Sequence, residues 1–170
     1  YKTVHEDPLL DKGWQAITDF YFRQKNYQKA LYYINKAIEI DGEHISYWKR
    51  YAQINFQLNF FEEAERGLQK IIELGNYEVD IWAQRADILL ILGENEAAIQ
   101  NLLQGLEFHP EEAEIEFRLA GIYYLLNDIE KGQYHLVNAL KNNNDFSIIL
   151  EELFPEVFSR QSVQKLINKH

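Results

Sequence analysis

The chain has 170 residues, 46% hydrophobic and 14% aromatic, and a net charge of −10 from 17 basic and 27 acidic side chains. Such a composition supplies a substantial core and excludes a disordered chain, while no apolar run approaches the roughly 18 residues of a membrane span. The absence of cysteine removes disulfides, thiolate metal sites and cysteine nucleophiles. The acidity disfavours nucleic-acid binding and steers basic or mixed-charge partners towards the protein.

The predicted elements are helices that recur at one step. Residues 1–10 read as the tail of a preceding repeat or a linker. Pro8 falls in a column of breakers with Gly42, Asn76, Pro110 and Asn144, each 34 residues from the next. More repeats are therefore expected N-terminal to this chain. The first unit, 11–44, carries Trp14, Thr18, Ala30 and Ile34. One step on, the second unit, 45–78, carries Trp48, Ala52, Ala64 and Leu68, and the third, 79–112, carries Trp82, Ala86, Ala98 and Leu102.

Apolar spacing inside a unit is helical. Trp48, Tyr51, Ala52, Asn55 and Leu58 form one amphipathic stripe, and Phe61, Ala64, Leu68, Ile71 and Ile72 form a second. Turn chemistry separates the two helices at Lys25-Asn26, Asn59, Gly93 and Asn127-Asp128, because Asn and Gly tolerate the left-handed backbone that closes a helix. Pro110 followed by Glu111 and Glu112 predicts a helix start at that point. Small residues in a column allow two antiparallel helices to cross closely, and the Trp column fills the space between neighbouring units.

The fourth unit, 113–146, is degenerate. Glu116 stands in the Trp column and Gly132 in the Ala column, although Phe117, Leu119, Ala120 and Tyr123 keep the first helix amphipathic. Residues 147–170 read as C-terminal capping helices: a short helix, a bend at Pro155, and a second helix around Ser162 to Asn168.

Trp82, Ala86, Leu89, Gly93, Ala98, Leu102 and Pro110 together resemble the signature of the tetratricopeptide repeat family. The resemblance covers the four units. It implies an all-α, right-handed superhelical solenoid of antiparallel helix pairs, whose first helices line a concave groove that binds a peptide or helix of a partner protein. Carrying the family's groove positions over selects Asp19 in the first unit and Lys49, Gln53 and Phe56 in the second. It adds Gln84, Asp87 and Leu90 in the third, and Phe117, Arg118 and Tyr124 in the fourth. Gln15, Phe22, Arg50, Ala83 and Gly121 share those columns. Chaperone-binding members hold a C-terminal carboxylate with a Lys, Asn, Asn, Lys, Arg clamp. The matching positions here are Lys49, Gln53, Gln84, Glu114 and Arg118, and a glutamate there opposes a carboxylate, so the clamp is not expected.

Catalytic chemistry finds no footing. The five histidines are scattered and none has zinc-motif spacing. Adjacent acids such as Glu62-Glu63 point about a hundred degrees apart on a helix, and no phosphate loop or nucleophile elbow is present. The expectation is a non-catalytic protein-interaction scaffold with no cofactor or metal, no nucleic-acid partner and a cytoplasmic location. The alternatives are a structural spacer or homo-oligomerisation module, with the fourth unit's Tyr124 and Tyr134 as its face, or the regulatory repeats of a longer multidomain protein.

Overall fold

The computed structural model describes residues 10–170, so the expectation for residues 1–10 lies, but for Leu10, outside the described part. Among the described residues the chain is all-α, without strands, and consists of antiparallel helix pairs. The helices are α1 (Leu10–Arg23), α2 (Tyr27–Ile40), α3 (Ile45–Gln57), α4 (Phe61–Glu73), α5 (Val79–Ile91), α6 (Asn95–Phe108), α7 (Ala113–Leu125) and α8 (Ile129–Asn142). A 3-10 turn (Asn144–Ser147) leads to α9 (Ile148–Leu153), α10 (Pro155–Phe158) and α11 (Gln161–Lys169). The chain divides into two compact units, residues 1–76 and 77–170.

Every hairpin turns by the same backbone device at the same register. Lys25, Asn59, Gly93 and Asn127 take φ of 57°, 61°, 77° and 61°. In each turn the next N–H reaches back five residues: Asn26 to Tyr21, Phe60 to Asn55, Glu94 to Leu89 and Asp128 to Tyr123, all at 2.8–2.9 Å. These bonds satisfy the last carbonyls of the first helix. Asn26 and Asp128 then cap the second helix by accepting from the N–H groups of Lys29 and Lys131, both at 3.2 Å. Pro110 does not open a helix, a correction to the expectation. It lies in the α6–α7 turn, Glu111 takes φ of 64°, and α7 starts at Ala113 with Glu112 as its cap.

In the first unit the core gathers Ala30, Ile34 and Ala37 of α2 with Tyr47 and Ile54 of α3. Trp14, Tyr21, Phe22, Leu31 and Tyr51 pack around it. Trp14 and Tyr21 both stack on Tyr33, with ring centroids 5.7 and 5.5 Å apart. The Tyr47 hydroxyl donates to Asp11 Oδ2 at 2.7 Å and ties α3 to the start of α1. That bond holds the Asp11 carboxyl below the ordinary carboxylate range, and burial together with Asp11 pushes the Tyr47 phenol up.

In the second unit Trp82 is fully buried. Its indole lies against Gly105 of α6, where any Cβ would meet Trp82 and Ile115 at 3.0 Å. The degenerate fourth hairpin keeps this interior by exchanging partners. Glu116, where the other hairpins have Trp, is buried 2.5 Å from His135 Nδ1, and the imidazole stacks on Tyr123. Residues 19 apart also meet in other hairpins, by different contacts: Trp14 stacks on Tyr33, and the Asn101 Nδ2 donates to the Trp82 carbonyl at 2.8 Å. Gly132 is required beneath the ring of Tyr124, 2.8 Å from an added Cβ. The helices after Asn142 close the exposed side of α7: Phe154 is buried directly over Gly121, and Ile149, Leu150 and Val157 are buried with it.

Candidate functional site

The first-unit candidates stand on one face of α1 and α3. Lys49, Gln53 and Phe56 follow i, i+4, i+7 along α3 and so share a helix face. Arg50 is the organiser of this surface. Its Nε donates to Asp19 Oδ1 at 3.0 Å and its Nη1 to Gln53 Oε1 at 2.9 Å. The guanidinium also lies 4.4 Å from the ring centroid of Phe22. The result is a preorganised strip, with Asp19 and Gln53 held in place and Phe56, 41% exposed, turned outward beside Phe61. Gln15 extends the strip by donating to Ser46 at 3.4 Å.

In the second unit the corresponding pair is stronger. Arg118 of α7 grips Asp87 of α5 with two bonds, Nε to Oδ1 at 2.8 Å and Nη2 to Oδ2 at 3.1 Å. Its Nη1 donates to the Glu114 carbonyl at 3.0 Å, and the Glu114 carboxylate lies 3.9 Å away. The Arg118 side chain is only 11% exposed, whereas Asp87 and Glu114 are each about a third open. A buried guanidinium beneath two partly open carboxylates presents an acidic surface, not a basic one. Gln84 is exposed and Leu90 half-buried along α5.

Two candidates need correction. Phe117 is fully buried and Tyr124 nearly so, so neither offers a ring to a ligand. The chain covers this face itself: Phe154 sits on Gly121, and the Arg160 guanidinium lies 5.7 Å from the Tyr124 ring centroid. Tyr124 is therefore also withdrawn as a self-association surface, whereas Tyr134 is well exposed. Residue patterns did not single out Phe154 or Arg160, because their role depends on a helix that departs from the repeat. The signal for the two ion pairs, in contrast, was present. Asp19 and Asp87 lie two steps apart, as do Arg50 and Arg118, and each Asp precedes its Arg by 31 residues.

Antiparallel helix pairs on a 34-residue register, with first-helix faces linked by polar rungs, define a helical-repeat protein of the kind that makes protein contacts. The chain belongs to the tetratricopeptide repeat family. The family description "Tetratricopeptide repeat" matches residues 79–112, and "Anaphase-promoting complex, cyclosome, subunit 3" matches residues 14–71. No curated protein matches the sequence. Among solved structures, YrrB, described as a TPR protein with an unusual peptide-binding site, is 13% identical with a TM-score of 0.69, over 99% of this chain and 88% of that one. MamA from Desulfovibrio magneticus RS-1 is 15% identical with a TM-score of 0.71, over 94% of this chain and 92% of that one. The first TPR of Spaghetti (RPAP3), bound to the HSP90 peptide SRMEEVD, is 22% identical with a TM-score of 0.61, over 72% of this chain and 98% of that one. At these identities the likeness is one of fold.

Proposed function

We propose that the protein is a non-catalytic scaffold that holds a peptide or helical segment of a partner protein against its first-helix faces. The observation that carries this reading is the α1–α3 strip, where Arg50 locks Asp19, Gln53 and Phe22 while Phe56 stays open beside them. A surface that is already ordered loses little entropy on binding, and an open aromatic beside fixed polar groups is the composition of an interface anchor. The peptide-bound and peptide-site structures among the fold's relatives support the same reading.

The chemistry of the partner follows from the rungs. Arg118, which matches the arginine of the carboxylate clamp, is already bidentate to Asp87 and flanked by Glu114. A peptide carboxylate would have to displace Asp87 and face Glu114, so the expected partner is neutral to basic at this position. The test is a pull-down from source lysate with the wild-type protein beside Lys49→Glu with Phe56→Ala, both first shown to have the same helical circular dichroism. A protein retained by the wild type and lost by the variant supports the reading and identifies the partner. Equal recovery, or none, sets it aside.

A further inference from the structure

The second unit carries an apolar cleft at the end where its hairpins turn. The cleft has a volume of about 500 Å3 and lies between residues 93–97 of the α5–α6 turn and Leu126 of the α7–α8 turn. Leu126 is 42% exposed, and the same two turns leave Ile91, Leu125 and Ile129 45–52% exposed. The left-handed residue of the first of these turns is Gly93, where the other hairpins carry Lys25, Asn59 and Asn127. A Cβ on Gly93 would meet nothing within 4 Å, so the mouth of the cleft is open there. This opening lies across the direction in which hairpins stack, and a further hairpin on the stack touches only its neighbour's flank.

The rim of the cleft has one sign. Glu94 and Glu96 line it and are exposed, and Asp128 and Glu130 follow in the same two columns one step of 34 on. Residues 86–117 hold eight acidic side chains and neither lysine nor arginine. Lys131, the base of the second turn, is engaged: it lies 3.7 Å from Asp128 Oδ2 and over the Tyr123 ring. Glu94 stands at the cap position of α6, yet its carboxylate caps nothing, whereas Asn26 and Asp128 in the same column accept from their own helices. The helix forgoes its cap here and leaves that carboxylate to meet a cation from outside.

We infer that this cleft docks a segment of a partner protein in which a large apolar side chain is flanked by lysine or arginine. The apolar side chain enters between residues 93–97 and Leu126, and the flanking cations meet Glu94 and Glu96. Apolar burial supplies the affinity, while the carboxylates select the charge of the segment and speed its encounter. A second copy is not the favoured occupant, because cleft against cleft sets acid against acid. The site lies at the hairpin ends of the second unit, is separate from the α1–α3 strip and does not depend on it.

The probe is a short fluorescently labelled peptide with a leucine pair between two lysine pairs, titrated against the full chain and followed by anisotropy. Binding is expected, and it should weaken with added salt. The Kd should rise at least about tenfold when the peptide's lysines become glutamate or its leucines become serine. The same rise is expected in Glu94→Lys with Glu96→Lys, and in Leu126→Asp. Glu107→Lys with Glu111→Lys makes the same change of charge at the far end of α6 and should leave the Kd unchanged. Lys49→Glu with Phe56→Ala should also leave it unchanged, which separates this site from the groove on the first unit. Every variant is first matched to the wild type by circular dichroism. On the wild type itself, the Ile129 methyl resonances should shift with peptide while those of Ile17 and Ile148, exposed elsewhere, stay in place. No binding at millimolar peptide, indifference to both cleft variants, an equal loss in either control variant, or shifts at Ile17 or Ile148 would each overturn the proposal.

Discussion

At the scale of single residues, the repeat assigns each column a size, and departures are tolerated only when the opposite residue changes too. Glu116 in place of tryptophan is accepted because His135 supplies a buried partner and Tyr123 a ring to stack on. The tryptophans themselves are not equivalent. Trp82 is buried between Gly105 and Ile115, whereas Trp14 and Trp48 are half-buried. Trp82→Ala should therefore cost about 3–5 kcal/mol in urea unfolding, and Trp14→Ala clearly less; equal costs would mean that burial does not set the difference. Gly121→Ala places a Cβ inside the ring of Phe154. The ring is itself buried, so we expect a loss of about 1–3 kcal/mol, relieved when Phe154→Leu is added. Both substitutions are read by denaturant midpoints.

At the scale of elements, adjacent helices in each unit are joined by polar rungs as well as by core. Asp87→Ala leaves the guanidinium of Arg118 largely buried and without its bidentate partner. We expect a destabilisation of about 1–3 kcal/mol. Asp19→Ala, at a more open pair, should cost under about 1 kcal/mol. The difference between the two is the informative quantity.

Titration gives a second test of the α3–α4 pair. Tyr51 donates to Glu63 Oε2 at 3.0 Å, and burial, followed by that carboxylate, pushes its phenol from 10.0 up to about 12. A folded value above the unfolded one means that the contribution is complete below pH 10 and is lost as pH rises from 10 to 12. Thermal unfolding followed across this window should show a falling midpoint for the wild type and a shallower fall for Tyr51→Phe.

For the chain as a whole, the charge is unevenly shared. Residues 1–76 hold 10 basic and 11 acidic side chains, and residues 77–170 hold 7 and 16, so nearly all of the net −10 belongs to the second unit. A basic partner should accordingly associate faster at low salt, and more so through the second unit than the first. No helix among the described residues is long and apolar enough to cross a membrane.

What the sequence determined alone was whatever depends on local chemistry repeated at a fixed step. The four turns were legible because a left-handed residue must close each first helix, and Asn59, Gly93 and Asn127 are the residues that tolerate it. The small columns at Ala30 and Ala52 were legible because two helices cannot cross closely over larger side chains. Even the Asp–Arg rungs were written in the letters, as two identical pairs two steps apart.

Tertiary structure alone decided which of these residues remain open. Phe56 and Tyr124 stand in one column, two steps of 34 apart, yet one is exposed and the other nearly fully buried. At Tyr124 the segment after the repeats intervenes: the Arg160 guanidinium lies against its ring and Phe154 covers Gly121 on the same helix. Exposure is a property of what lies across a face, and for Tyr124 that neighbour is not encoded in the residue's own repeat.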